Sequence, residues 1–246
     1  MKFKASIIAI ALTLSTSAFA MKKGEKFVHE VNGDIIKTVT IQKIADEPVT
    51  ARKSGFMDYA SDCSALRNSG VFTDGLPSTG DVRIDAIINI GAKVFTLIKD
   101  NAPLITTASV AANALPMGIS CWNQLEGWRI PRGEVYRVTY KNLYGIKVVD
   151  FEARLAYSFG GNIDGTGRYL ANATIQYKRL NVKVGYVFDA NVEIPQVLNL
   201  GTRAMPVAGM QLNLNWSVTT RPIAFKKELN TATFFISGDG RPTKLY

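Results

Sequence analysis

The feature that most constrains the fold is an alternation of apolar and polar residues in the C-terminal half of the chain. Its clearest example is RLNVKVGYVFDANVEIPQV, residues 179–197. The apolar positions there are Val182, Val184, Tyr186, Phe188, Ala190, Val192 and Ile194. Successive side chains of a β-strand point to opposite faces, so this spacing predicts a strand with one apolar and one solvated face.

The same alternation recurs in five more segments. They cover residues 136–141, 149–157, 169–177, 210–218 and 231–237. Short connections rich in Gly, Asn and Asp separate them, including Gly160-Gly161-Asn162 and Gly238-Asp239-Gly240. Strands joined by such short connections favour antiparallel pairing. We therefore expect a mainly β protein, with an antiparallel β-sandwich-like domain over residues 126–246.

The segments that precede this domain have different sequence patterns. Residues 21–80 open with a predicted strand at 35–41 and continue as a loop-rich region dense in Ser, Gly, Asp and Asn. Residues 81–125 favour a helix, because the apolar residues repeat at intervals of three and four. These residues are Ile84, Ile87, Ile88, Gly91, Val94, Phe95 and Ile98. We expect one amphipathic helix packed on the sheet, in the same structural unit as the strands; the alternative is a membrane-seeking helix.

The first twenty residues predict export. Lys2 and Lys4 precede an apolar run that ends in Ala18-Phe19-Ala20, which is the layout of a secretory signal peptide. The apolar run is much shorter than the roughly 20 residues that span a bilayer. The mature protein is therefore expected to be periplasmic or extracellular.

Export bears on the two cysteines of the chain, Cys63 and Cys121. An oxidising compartment lets thiols pair, so we expect a disulfide between them. It would close a loop of about 60 residues and stabilise the fold by about 3–4 kcal/mol through chain entropy. The alternative is two separate buried thiols. A zinc site would need three or four ligands, and the chain contains a single His.

A sheet with one apolar face fits two architectures in an exported protein, a water-soluble sandwich or an outer-membrane β-barrel. About six strands are evident in the C-terminal half, and a barrel needs at least eight in series. Tyr186 and Phe188 lie in the middle of their strand, away from the membrane interfaces where barrel aromatics lie. Pro242 and Lys244 occupy positions where a closing strand needs apolar residues. These features favour the soluble sandwich.

Motifs that carry catalytic or metal chemistry are sparse. The sequence has no G-x-S-x-G, and His29 is followed by Glu30, which would point to the opposite face of a strand. Asp150 and Glu152 fall on a solvated strand face, where cross-strand pairing with Arg or Lys is expected. Two Asp-Gly pairs read as turns, because they lack the repeated acidic ligands of a calcium loop. We therefore expect no enzymatic activity, no metal and no cofactor.

The candidate binding site lies in CWNQLEGWRIPRGEVYR, residues 121–137. This stretch gathers two indoles, a phenol and three guanidiniums: Trp122, Trp128, Arg129, Arg132, Tyr136 and Arg137. Exposed Trp stacks on sugar rings, and the Arg fork binds phosphate or carboxylate. The alternative is that both tryptophans fill the seam between helix and sheet.

The charge balance agrees with an anionic partner. The chain has 29 Lys and Arg against 20 Asp and Glu, a net charge of +9, and loss of two signal-peptide lysines would leave nine minus two, or +7. An exported protein does not meet nucleic acid as its normal partner, so an anionic envelope glycan or a lipid head group is expected.

We predict a non-enzymatic binding or structural protein of the cell envelope that is not an integral membrane protein. The alternative is a membrane-active protein, either an outer-membrane β-barrel or an inserting, pore-forming protein. The sequence leaves the oligomeric state open.

Overall fold

The residues that the structure describes form two antiparallel β-sheets, which pack face to face without closing on themselves. The computed structural model describes residues 21–30, 36–48, 82–104, 111–221 and 227–245. The prediction of a mainly β, antiparallel fold is confirmed. The expected signal peptide, Cys63 and most of the predicted loop-rich region lie outside the described residues, so export and the disulfide stay predictions.

Within the described residues, the larger sheet has seven strands. In spatial order they are β1 (Lys26–Glu30), β2 (Ile36–Pro48), β7 (Arg132–Asn142), β8 (Lys147–Ile163), β9 (Thr166–Val182), β6 (Ala112–Met117) and β3 (Arg83–Gly91). The smaller sheet has six, in the order β13 (Lys244–Leu245), β12 (Lys227–Ser237), β11 (Ala208–Thr220), β10 (Tyr186–Asn199), β4 (Val94–Lys99) and β5 (Ala102–Pro103). The strand predicted at 35–41 is confirmed for residues 36–41, which belong to β2.

The core lies between the apolar faces of the two sheets. Tyr136 on β7 contacts Phe234 on β12 with 4.7 Å between ring centroids, and Phe151 on β8 contacts Phe188 on β10 at 5.0 Å. Aromatic pairs of this kind contribute about 0.5–1.5 kcal/mol each beyond the burial of their area. The apolar positions predicted for β8 and β11 are all buried here. The apolar strand face therefore meets protein.

The alternating stretch at 179–197 is two strands and not one. β9 ends at Val182, and β10 begins at Tyr186 in the other sheet. The turn between them contains Gly185 at a φ of +90°, a conformation that favours glycine. Val184, which the spacing assigns to the buried face, is instead fully exposed at the tip of this turn.

The helix predicted over residues 84–98 is wrong. These residues form β3 and β4, which belong to different sheets. β3 is partly buried along most of its length, so its apolar residues need not alternate with a period of two. Its isoleucines are β-branched, which favours a strand over a helix. The passage between the sheets starts at Gly91, where a Cβ would lie 2.3 Å from the carbonyl oxygen of Ala111.

A short 3-10 turn at Trp122–Gln124 is the one helical element in the described part of the chain. The described part of the chain contains no helix that could span a membrane.

Candidate functional site

A cleft of about 390 Å³ opens at the end of the sandwich where β8 ends and β9 begins. Residues from both sheets line it: Gly127, Trp128, Arg129, Phe159, Gly160, Asn162, Arg168, Gly238 and Asp239. We call it the arginine cleft, after Arg129 and Arg168. Of the six residues predicted for a binding site, Trp128 and Arg129 are the two that line it.

The wall that contains Arg129 is an irregular extension of the larger sheet. Glu126 exchanges two backbone hydrogen bonds with Asn162, at 3.0 and 2.9 Å. The backbone N–H of Arg129 donates to the carbonyl of Phe159 at 2.8 Å. These bonds hold residues 126–129 alongside the end of β8, so the backbone position of Arg129 is fixed by the sheet.

Trp128 packs directly on the backbone of β8. A Cβ on Gly161 would lie 2.4 Å from two carbons of the Trp128 ring, so only glycine leaves room for the indole. The Trp128 indole N–H donates to the Trp122 carbonyl at 3.1 Å, and both tryptophans are half-buried against the core. Trp128 is therefore a fixed wall of the cleft.

This packing also corrects a predicted connection. The sequence predicts a loop at Gly160-Gly161-Asn162, but β8 runs through these residues to Ile163. The turn predicted at Asp164-Gly165 is confirmed, and both residues there have positive φ. The glycines serve close packing along the strand rather than a turn.

Gly238 joins the two sheets at the cleft. Its N–H donates to the carbonyl of Ala208 at 2.7 Å, and its own carbonyl accepts the N–H of Gly160 at 2.9 Å. A Cβ at Gly238 would lie 2.2 Å from the carbonyl oxygen of Arg168. This close backbone approach holds Arg168 on β9 beside the end of β12.

Two guanidinium groups provide the positive charge of the cleft. Nη1 of Arg168 donates to the carbonyls of Gly165 and Gly167 at 3.2 and 2.6 Å, which orients the group. The Arg129 guanidinium has no hydrogen-bond or ion-pair partner in the part of the chain that the structure describes. Arginine is always protonated in proteins. A phosphate or carboxylate in the cleft would therefore meet charged N–H donors that are free to bind it.

The carboxylate of Asp239 does not cancel this charge. It accepts hydrogen bonds from the Ser237 hydroxyl, and from the backbone N–H and Nε of Arg241 at 3.2 and 2.6 Å. Burial raises the pKa of Asp239, but these hydrogen bonds outweigh it and hold the pKa below its ordinary value. The negative charge of Asp239 is matched by Arg241, so Arg129 and Arg168 remain in excess.

Arg132, another predicted site residue, lies beside the cleft rather than in it. Its guanidinium carbon is 4.6 Å from the centre of the Phe159 ring, over the ring face. Its Nη1 also donates to the carbonyl of Arg241 at 3.3 Å. Arg132 therefore supports Phe159 and the chain that follows β12.

Neither Tyr136 nor Arg137 lines the cleft, and the two side chains lie on opposite faces of β7. Tyr136 is buried between the sheets, and its hydroxyl donates to Glu134 at 2.7 Å. Arg137 points to the outer face of the larger sheet and pairs with Asp150 at 3.3 Å and with Glu152. The cross-strand pairing expected for Asp150 and Glu152 is confirmed. Because both carboxylates already pair with Arg137, its guanidinium offers little to a ligand.

A second cleft, of about 480 Å³, lies on the other side of residues 130–132. Its buried Lys43 pairs with Asp46 at 2.7 Å and with Glu134 at 3.3 Å. Glu134 also accepts a hydrogen bond from the Thr243 hydroxyl at 2.9 Å. Because the charges here already satisfy one another, this cleft offers a ligand less than the arginine cleft does.

Sequence reasoning found two of the nine residues that line the arginine cleft and missed the others. Phe159, Asn162, Arg168 and Asp239 come from three strand ends that are far apart in sequence from Arg129. Only the register of β8, β9 and β12 brings them together. The one signal in the sequence is the clustering of glycines around these positions, and such clusters ordinarily predict turns.

Cys121 is buried next to the 3-10 turn, close to the tryptophans in sequence. Cys63, the other half of the expected disulfide, lies outside the described residues. The pairing therefore stays a prediction.

No group of three or more His, Cys, Asp or Glu among the described residues could hold a metal ion. Comparison of the chain with protein-family models, curated proteins and solved structures found no match. The geometry of the arginine cleft is therefore the basis for a functional proposal.

Proposed function

We propose that the protein is an exported, non-enzymatic binding protein of the cell envelope, and that the arginine cleft holds the anionic group of its ligand. That group is a phosphate or carboxylate of an envelope polymer or of a lipid head group. The observation that carries the proposal is the convergence of Arg129 and Arg168 on one cleft, where the charge of Asp239 is already matched by Arg241.

The size of the cleft suits one charged unit of a larger ligand. Its volume of about 390 Å³ is at the small end of the usual range for ligand sites, about 300–1,000 Å³. Phe159 and Trp128 add apolar surface on which a sugar or lipid backbone can pack. The walls are held by backbone hydrogen bonds, so binding would order little of the protein.

A binding role fits the cleft better than a catalytic one. General acid–base catalysis needs a group that exchanges a proton near the working pH. The arginines remain protonated, and hydrogen bonds keep the carboxyl of Asp239 ionised. These groups supply fixed charge and hydrogen-bond donors, which is what recognition of an anion requires.

The test is the affinity of the mature protein for fluorescently labelled polyphosphate and polygalacturonate, with neutral dextran as the blank. Arg129→Gln and Arg168→Gln should each weaken binding of the preferred anion about tenfold or more, because a charge-assisted hydrogen bond contributes about 1.5–3 kcal/mol. The two polymers separate phosphate from carboxylate recognition. Lipopolysaccharide micelles then test the head-group source.

The matched control is Lys26→Gln, which removes one positive charge from an exposed residue on β1 that does not line the cleft. It should leave binding close to that of the unmodified protein. An equal loss in all three variants would indicate general electrostatic attraction and contradict the site. Unchanged binding by Arg129→Gln and Arg168→Gln would overturn the proposal.

A further inference from the structure

Two turns lie side by side at the end of the sandwich opposite the arginine cleft. One joins β7 to β8 at residues 143–146, and the other joins β9 to β10 at residues 183–185. The N–H of Lys183 donates to the carbonyl of Val148 at 2.9 Å, and the N–H of Arg221 donates to the carbonyl of Gly185 at 2.8 Å. These bonds connect the two turns and the end of β11 into one surface, which we call the turn pair.

The turn pair is unusually apolar for an exposed surface. Tyr144 is 88% exposed and Val184 is fully exposed at 101%, with Leu143 and Ile146 each more than half exposed. Eleven large apolar side chains are exposed among the described residues, and four of them are on these two short turns. Scattered exposed apolar residues are ordinary, but a cluster of them marks an interaction surface.

The fold itself does not require these side chains. The first turn is held by Asn142, whose Oδ1 accepts the backbone N–H groups of Tyr144 and Ile146 at 3.1 and 3.0 Å. Gly145 supplies the positive φ, at +75°. Turns normally use small polar residues, which would serve equally well at the exposed positions. The apolar residues therefore contribute nothing to the turn that polar ones could not.

Basic residues surround the apolar ones. Lys141, Lys147, Lys183 and Arg221 are all exposed around the two turns. The nearest carboxylate along the chain, Asp150, is buried and pairs with Lys147 at 3.2 Å. Neither 141–149 nor 179–186 contains an acidic residue. The turn pair is therefore an apolar tip inside a positively charged rim.

We infer that the turn pair docks the protein onto an anionic lipid bilayer, with the apolar side chains in the interface and the basic rim against the head groups. Aliphatic side chains gain from burial among acyl chains, tyrosine is favoured at the membrane–water interface, and Lys and Arg are attracted to anionic lipids. Charge complementarity selects a membrane over a protein partner. A protein interface of standard size also involves about 20–30 residues on each side, and the two turns have four and three residues.

The test is flotation of the mature protein with vesicles of equal parts phosphatidylglycerol and phosphatidylcholine, against vesicles of phosphatidylcholine alone. The protein should float with the anionic vesicles only, and less in high salt. The double variant Tyr144→Ser with Val184→Ser should weaken binding by at least about tenfold, through loss of apolar burial. Lys183→Gln should weaken it by about fivefold.

Two control variants make the result specific. Ile130→Ser removes another largely exposed apolar side chain, outside the turn pair, and should not change flotation. Lys26→Gln removes an exposed positive charge outside the turn pair and should not change flotation either. Loss of flotation in either control but not in the turn variants would overturn the inference, as would absence of binding to both vesicle types. Concentration-dependent dimers that disappear in the double variant would also overturn it, because the turn pair would then serve self-association.

Discussion

Trp216 donates its indole N–H to the hydroxyl oxygen of Tyr140 at 2.7 Å, across the gap between the two sheets. The side-chain amide of Asn230 donates to the same oxygen at 2.8 Å. One phenol on the larger sheet therefore satisfies two donors on the smaller one. A buried donor without a partner costs about 1–3 kcal/mol, so this oxygen is a point at which the two sheets are stabilised against each other.

Tyr140→Phe should lower the free energy of unfolding by about 2 kcal/mol, because it keeps the ring and removes the acceptor of two donors. For a chain of this size the melting temperature should fall by about 4–8 °C. Tyr144→Phe is the matched control, since that hydroxyl is exposed on a turn. Equal melting temperatures for the two variants would show that the cross-sheet hydrogen bonds contribute no net stability.

Because several tyrosine hydroxyls are buried, we expect the protein to lose stability at high pH. Burial raises the pKa of Tyr136, Tyr140 and Tyr157 above the ordinary value, and that of Tyr169 to about 12. A group whose folded pKa lies above its unfolded value of about 10 contributes stability below that pH and loses it as the pH rises further. Phenolate absorbance at 295 nm should therefore finish rising only as the near-ultraviolet circular dichroism is lost. Complete ionisation with the fold intact would contradict this expectation.

The ion pairs of Glu47 make the fold lose stability at low pH, the opposite of the effect of the buried tyrosines. The hydrogen bond from Lys178, at 2.6 Å, holds its pKa below the ordinary value, and Arg154 adds to the effect against the opposing influence of burial. The stability from these pairs is present above the unfolded pKa of about 4 and is lost as the pH falls through the folded value.

Urea unfolding should therefore show that Glu47→Gln is less stable than the unmodified protein at pH 6. The two proteins should converge as the pH falls below the folded pKa of Glu47, because both then lack the charge. Lys178→Met, which removes the cation of the pair, should likewise be less stable at pH 6 and converge with the unmodified protein at low pH. A difference that persists undiminished at low pH would mean that packing, and not the ion pair, is responsible.

The strands and their buried faces could be predicted because each depends on local periodicity. The alternation at Phe151, Phe188 and Trp216 identifies the core without knowledge of which strands pair. The segment 84–98 could not be predicted, because it changes sheets at Gly91 and its half-buried first strand lacks a period of two. The apolar residues of this segment therefore have the spacing of a helix although the segment forms two strands.

The arginine cleft shows the same division between local and non-local information. Residue types single out Arg129, but its companion Arg168 is placed beside it by strand register. Tyr136 and Arg137 could have been separated from the sequence alone, since neighbours on a strand face opposite ways. Proximity in sequence is therefore a poor guide to a binding site when the segment is a strand.

The contact between Trp128 and Gly161 can be tested by adding one methyl group. Gly161→Ala would place a Cβ about 2.4 Å from the indole and should destabilise the protein by about 1–3 kcal/mol, the usual cost of overpacking. In the background of Trp128→Ala the same change should cost much less, because the obstructing ring is gone. Urea unfolding of the two single variants and the double variant measures this coupling. A Gly161→Ala cost that is unaffected by removal of Trp128 would show that the strain lies in the strand backbone. The coupled result would instead show that the glycine is required because the cleft wall rests on it.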